Sequence, residues 1–510
     1  MSTAGIFKLI TNDGKQDRML MATQLLNTRL QQIQRMRAKN GARDPTPTLV
    51  DIERTHILFM NAHFKPFAAI GYEYNKVQPQ SGTALFGSTI QFSIPQFGDF
   101  FNDMVFHCKI SGTNAVNNAQ ATNNLNGKFR YAELLGHKLL KKVTFDVNGN
   151  HLDEYTSDVM NTHFAFYVSK DKEVGYKRGI GQQVPIPAIV NDPFSDTAFQ
   201  YSLLDGPQTP KTTHDEIDLW IPLLFWFNTD PRLSIPSVSI PYGQRFITLE
   251  LETLDRLTSG DAFVDPIITD ASLYINNIFV NPEIHDIFIK RIGFNLIRVH
   301  RTQRQVIEAG HDEILLSNLK WPITVMYVCF KPSENEDSIE NWHRCGLIDE
   351  REACVAASQP APTPPGSTFK QLVSRGADYK KCIRPVSTLG VSAHGIPIYN
   401  SATPSSFYNT YIPYTYGPEK IRTPDDCGAF MIPFCLYPGS YQPSGHINIS
   451  RAREFYLNYT SATVPAGFVG ARTPGDDIIS ADNPAIMVVV AIAINFLLIS
   501  DGSAVLRYST

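Results

Sequence analysis

Beyond "RDPTPTLV" at residues 43–50, a proline-marked linker, apolar residues fall at every second position or in short unbroken runs, the period of strands. The predicted strands are "TIQFSI", "MVFHCKI", "KKVTFDV", "DLWIPLLFWF", "RFITLEL", "ASLYINNIFV", "GFNLIRVH", "ITVMYVCF", "AFMIPFCLY", "REFYLNY" and a closing pair around "SDGS". Between them run polar or proline-rich stretches, "SGTNAVNNAQATNNLNGK", "VPIPAIVNDPFSDTAF" and "SQPAPTPPGS", which read as long surface loops without a helical period.

One long stretch has the period of a helix. In "DGKQDRMLMATQLLNTRLQQIQRMRAKNG", Met19, Ala22, Leu26, Leu30, Ile33 and Met36 recur at three- and four-residue steps. Asp13 with Gln16 resembles a capping box and Gly41 stands where a C-terminal cap would, so the helix is expected from about Asp13 to Asn40. Its polar side carries Lys15, Arg18, Arg29, Arg35, Arg37 and Lys39 against Asp17 alone. Such a helix can lie on an anionic membrane or dock on a partner, and packing of its apolar stripe under its own domain is the simpler expectation. A second, short helix is expected in "NPEIHDIFIKR", where Pro282 can open the first turn and Ile284, Ile287 and Phe288 share a face.

The run Ala485–Ile499 holds a single polar residue, Asn495. A membrane-spanning helix needs about 20 apolar residues. This run is shorter and rich in Val and Ile, and it is followed by the Asp501-Gly502 signal of a tight hairpin, so it reads as strand. Its continuity implies burial on both faces, and Asn495 is a candidate break between two strands.

The two halves of the chain echo each other. Ile221-Pro222 corresponds to Ile432-Pro433, Arg245-Phe246 to Arg453-x-Phe455, and more weakly Ile94-Pro95 to Trp321-Pro322. Two similar β domains in tandem account for this, as does a length of 510 residues, too great for one ordinary core. The expected division is a basic amphipathic arm over 1–44, a first domain over 45–288 and a second over 289–510.

Composition narrows the function classes. The net charge of −4 gives no basic field, so direct nucleic-acid binding is not expected. The N-terminal "MSTAGIFKLITNDGKQDRML" lacks the apolar core of a secretory signal, so folding in the cytosol is expected, and the sequons at Asn448 and Asn458 read as chance matches. The seven cysteines are odd in number and show no C-x-x-C, so they are expected to be free packing thiols without structural zinc.

Catalytic patterns are absent. No H-x-H or H-E-x-x-H occurs, His311 in "GHDEI" has no second His in reach, and His56 and His63 are seven residues apart. "RGIGQQV" offers Gly179 and Gly181 without a third glycine, Ser444 lacks a nucleophile elbow, and Asp425-Asp426 reads as a turn former after Pro424. Arg298 and His300 in "GFNLIRVHRTQRQ" read as a solvated strand edge in preference to a base-stacking surface. No catalytic, cofactor or metal residue is assigned. Two alternatives remain: a bicupin-like metal enzyme and a glycan- or receptor-binding β-sandwich.

Specific stretches go further. "NAHFKPF", "GYEYNKV", "IPQFGDFFNDMV", "FDVNGNHLDEY", "GPQTPK", "IPSVSIPYGQRFITL", "LYINNIFVNPEIHDIFIKR", "LIRVHRTQ", "LKWPI", "TPDDCGA", "YQPSGHINISRAREFY" and "INFLLISDGSAVLRYST" run in order along almost the whole chain. Together they closely resemble the major capsid proteins of African swine fever virus and related large nucleocytoplasmic DNA viruses. The match fails mainly around 113–127, 163–205 and 360, where this chain looks shorter.

The resemblance implies an all-β double jelly roll, two eight-stranded sandwiches in tandem with an N-terminal helical arm. It further implies a homotrimeric, pseudo-hexameric capsomer tiling an icosahedral shell, in the virion and assembled in viral factories of the host cytoplasm. The partners implied are further copies of the chain, minor capsid and inner-membrane-associated proteins beneath the arm, and a viral folding chaperone.

Overall fold

The computed structural model describes residues 15–41, 70–116, 128–191, 198–203, 205–240, 244–260, 262–281, 293–349, 381–417, 421–440, 442–451, 454–470, 472–500 and 503–508. Eight strands build the first half: β1 (Ile70–Val77), β2 (Thr89–Ser93), β3 (Phe100–Ile110), β4 (Leu140–Val147), β5 (Asn150–Thr156), β6 (Ile217–Pro222), β7 (Arg245–Leu251) and β8 (Ile268–Val280). Eight more build the second: β9 (Gly293–Ile307), β10 (His311–Leu315), β11 (Pro322–Pro332), β12 (Val386–Ala393), β13 (Ile396–Tyr399), β14 (Ala429–Pro433), β15 (Phe455–Ser461) and β16 (Ala485–Ser500), with β17 (Ser503–Leu506) added beside β16.

All pairings among them are antiparallel. The first half forms sheets in the orders β1-β8-β3-β6 and β2-β7-β4-β5, and the second forms β9-β16-β11-β14 and β10-β15-β12-β13. Adding eight to each strand of the first set gives the second, so one jelly-roll winding is executed twice. Two of the three sequence echoes fall on equivalent places: Ile221-Pro222 and Ile432-Pro433 end β6 and β14, and Phe246 and Phe455 lie at the starts of β7 and β15; the weaker third does not, since Ile94-Pro95 follows β2 whereas Pro322 opens β11. Arg453 lies outside the described residues.

Local chemistry selects these strands. β7 buries Arg245, Ile247, Leu249 and Leu251 while the alternate residues stay half-buried, the period of a sheet with one face in a core. The β4–β5 hairpin turns at Asn148-Gly149 and the equivalent β12–β13 hairpin at His394-Gly395, all four residues having positive φ. Two successive left-handed residues twist the chain the way the flanking strands already twist, and glycine adopts the second at no steric cost.

Between its sheets the first barrel is packed with aromatic rings. Phe101 lies edge-on to Phe145 and Phe227 at 6.4 and 5.6 Å, and Phe92 to Phe106 at 6.1 Å. In the second, Phe330 meets Tyr459 at 5.2 Å and Phe430 at 6.3 Å.

Several expectations are corrected. Ala485–Ser500 is one strand, paired along its length with β9 from Ile307↔Ala485 to Gly293↔Ile499. Asn495 is not a break: its Oδ1 accepts the amides of Phe496 and Tyr508 and its NH2 donates to the Tyr508 carbonyl, fixing the returning end of the chain. "DLWIPLLFWF" leaves the sheet at Pro222, and Trp226–Thr229 forms a helical turn. The region after β5 holds two helices, α2 (Ser157–Tyr167) and α3 (Lys170–Gly179), and the stretch read as a loop forms a hairpin of Ile186–Asn191 with Ala198–Leu203. Cys329 and Cys345 form a disulfide, so the cysteines are not all free thiols.

The predicted arm helix is α1 (Lys15–Lys39). Leu25, Leu30, Ile33 and Met36 are exposed on it, so these apolar positions do not pack under the chain's own barrels. Among the described residues no helix is long and apolar enough to cross a membrane. The expected helix at 282–291, together with His56 and His63, lies outside the described residues.

Candidate assembly surfaces

The two barrels are joined by a seam that the helices after β5 fill. Odd-numbered residues of β16, among them Met487, Val489, Ala491 and Ala493, are buried toward the interior of their own barrel. Val488, on the other face, shares a cavity with Asp158, Asn161 and Phe166 of α2. The two-sided burial expected of this strand is met around Val488, Val490 and Ile494, whereas Leu498 on the same face is exposed.

Polar contacts fix the seam. Asp153 on β5 is buried, and its carboxylate accepts the backbone N–H of His300 on β9 at 3.0 Å while its second oxygen lies 3.1 Å from His300 Nδ1. His300 is thus a bridge between barrels and not a solvated strand edge. Lys331 is buried between Asp158 at 3.3 Å and Glu336 at 3.2 Å, and Arg304 reaches the same two carboxylates. A buried ammonium is tolerable only with such partners. Arg422 binds Glu173 at 2.9 Å and the Ala165 carbonyl at 3.0 Å, Trp342 Nε1 donates to the Glu133 carbonyl at 2.6 Å, and the Tyr167 and Tyr327 hydroxyls meet at 2.7 Å.

Burial shifts protonation in and around this seam. His137 is fully buried, and the loss of solvent pushes it down to about 4 despite a hydrogen bond with Asn161. Burial and the neighbouring histidines His137 and His300 push His163 down to about 3. For Glu173 burial acts upward, but Lys177 and Arg422 outweigh it and hold the carboxyl at about 2.

Asp153→Ala is expected to cost about 3 kcal/mol, because it strands a buried N–H and imidazole. Urea unfolding measures this. An unchanged midpoint would show that the seam does not stabilise the chain.

The outer faces carry the other candidates. Edge strand β1 pairs with β8 on one side and presents Tyr72 at 66% and Tyr74 at 48% exposure. Nearby, His107 lies tilted 4.2 Å from Trp220, which lies 5.0 Å from Tyr274, while Asp218 holds His107 Nε2 at 2.7 Å and Lys76 pairs with Asp270 at 2.6 Å. On the second barrel Phe294 and Phe496 stack at 4.8 Å beside exposed Leu498 and Val505, and Tyr414 stands 81% exposed. Exposed aromatic patches and sheet edges are surfaces that association covers.

The remaining candidates from sequence are structural. His311 bonds to the Tyr459 carbonyl at 2.9 Å on an outer strand, and a side chain at Gly181 would overlap Leu219. Ser444 accepts the Tyr437 amide in a turn. Asp426 exceeds a turn former: it accepts the amides of Cys345 and Gly428 and lies 3.3 Å from Cys382 Sγ.

Comparison with known proteins agrees with this geometry. A family model described as the major capsid protein N-terminus matches residues 71–281, and one described as the large eukaryotic DNA virus major capsid protein matches 281–505. The hexon protein p72 of African swine fever virus (isolate Tick/Malawi/Lil 20-1/1983) is 35% identical over 663 residues, covering all of both chains. That alignment exceeds the 510 residues of this chain, in keeping with its shorter loops. The solved Faustovirus major capsid protein is 36% identical with a TM-score of 0.73, covering 96% of this chain and 100% of the other. VP54 of PBCV-1, 18% identical with a TM-score of 0.65 over 89% of this chain and 100% of that one, shares the fold.

Proposed function

This chain belongs to the major capsid protein family of large eukaryotic DNA viruses, and from that premise we propose that three copies close into one pseudo-hexagonal capsomer. The observation that carries this is the repeated strand order of two barrels locked side by side, so that three chains present six similar barrels around one axis. Closed symmetry of this kind uses one self-consistent interface per chain, and looser contacts between capsomers then extend a shell.

The exposed β1 edge, the Phe294–Phe496 stack and the tyrosines around Tyr414 are the surfaces assigned to these contacts. Arm residues 1–44 carry the exposed apolar positions and basic face of α1, which suit minor capsid and inner-membrane-associated proteins beneath the capsomer. A division into 45–288 and 289–510 is supported by the two sets of eight strands, β1–β8 and β9–β16. Strands paired across long sequence separations, as β1 is with β8, fold slowly and expose edges, which favours help from a viral chaperone in a cytoplasmic factory.

Native mass spectrometry of the purified chain tests the closed trimer. The expected mass is that of three chains, and a monomer at micromolar concentration would contradict it.

A further inference from the structure

Four cysteines from four separate segments meet on the wall of a cavity of about 550 Å³ beside the seam: Cys329 on β11, Cys345 in the 341–346 turn, Cys382 on the strand Lys381–Ile383, and Cys427 in the 425–428 turn. Cys329 and Cys345 are joined, whereas Cys382 and Cys427 are free with their sulfurs 2.8 Å apart. Asp426 adds a third donor, its Oδ1 3.3 Å from Cys382 Sγ, and the three ligand atoms lie within 4.8 Å of one another. That carboxylate is held in place, Oδ2 by the Cys345 amide at 2.6 Å and Oδ1 by the Gly428 amide at 2.9 Å. Each of two cysteines is followed by a glycine with no room for a side chain: a Cβ on Gly346 would overlap Cys382 Sγ, and one on Gly428 would come 2.5 Å from the Cys345 carbonyl.

We infer that Cys382, Cys427 and Asp426 form a binding site for a thiophilic divalent cation of the zinc class. Tetrahedral zinc, with bonds of about 2.3 Å to sulfur and about 2.0–2.2 Å to carboxylate, places a sulfur and an oxygen about 3.5 Å apart, near the spacing seen between Cys382 and Asp426. The same geometry needs about 3.8 Å between sulfurs, so binding opens the thiol pair by about 1 Å.

One cation displaces two thiol protons to solvent and neutralises two of the three negative charges that remain. His343, whose buried Nδ1 has no hydrogen-bond partner, lines the same cavity. Bound metal would clamp the 425–428 turn to the strand Lys381–Ile383.

The test uses the full chain, purified under nitrogen with its Cys329–Cys345 bond intact, stripped with chelator and reloaded with zinc or cobalt. One zinc per chain, a sulfur-to-cobalt charge-transfer band, and protection of Cys382 and Cys427 but not Cys435 from alkylation are expected. Cys382→Ser and Cys427→Ser should each lower occupancy about tenfold or more, and Asp426→Asn about tenfold. Where a variant does not fold, the cobalt band and protection pattern of the unaltered chain decide. Absence of both in the unaltered chain, full zinc in the Cys382→Ser variant, or a Cys382–Cys427 disulfide in the zinc-treated protein would overturn the inference.

Discussion

Replacing Val489 with aspartate is expected to leave no folded second barrel. Val489 is fully buried on the inner face of β16, paired with Gln303 of β9 on one side and Val328 of β11 on the other. The substitution forfeits about 2 kcal/mol of apolar burial and places a carboxylate where nothing is positioned to pair with it, costing several kcal/mol more. A loss of that size rivals the whole stability of a typical domain, about 5–15 kcal/mol. Soluble yield and size-exclusion profile are the readouts. Val489→Ile at the same position should remain soluble, which separates the charge from the change of shape.

Stability should also fall as the medium is acidified below about pH 6.5, before ordinary carboxylates titrate. His137 is held neutral by burial, with a folded value of about 4 against 6.5 for an exposed imidazole. Between those values the unfolded chain binds a proton that the folded chain does not, so stability is complete above about 6.5 and declines as pH drops toward 4. Each pH unit in that window costs about 1.4 kcal/mol, about 3 kcal/mol in all from this one side chain. His163 acts in the same direction. Urea midpoints at about pH 7 and about pH 5 should differ by about 2 kcal/mol. The difference should shrink in His137→Gln, which keeps hydrogen-bonding groups toward Asn161 and Tyr176 but has nothing to titrate. A variant as acid-sensitive as the original would place the effect elsewhere.

What could be read from the sequence follows the range of the forces involved. Strands such as β7 and β8 announce themselves because each residue's face is set by its immediate neighbours. The tandem repeat was visible because Ile-Pro closes β6 and β14 alike. The two X-Gly hairpin turns were equally available in "VNGN" and "AHGI", and only their equivalence needed the fold. Helix α3 leaves no periodic mark for a physical reason: "KDKEVGYKRG" buries none of its residues, so it has no apolar stripe to reveal a period.

Long-range chemistry left no local mark. His300 and its partner Asp153 are 147 residues apart, and nothing in "NLIRVH" distinguishes a seam residue from an exposed edge. Cys382 and Cys427 are 45 apart and meet only because sheets and turns fold them together, so a search for C-x-x-C passes over them.

The central claim is that two like barrels in each chain make a three-fold capsomer. Electron microscopy of the purified full-length protein tests it most directly. Particles with three-fold symmetry and a near-hexagonal outline of six barrel-sized lobes are the predicted result, and isolated two-lobed monomers without three-fold particles would contradict it.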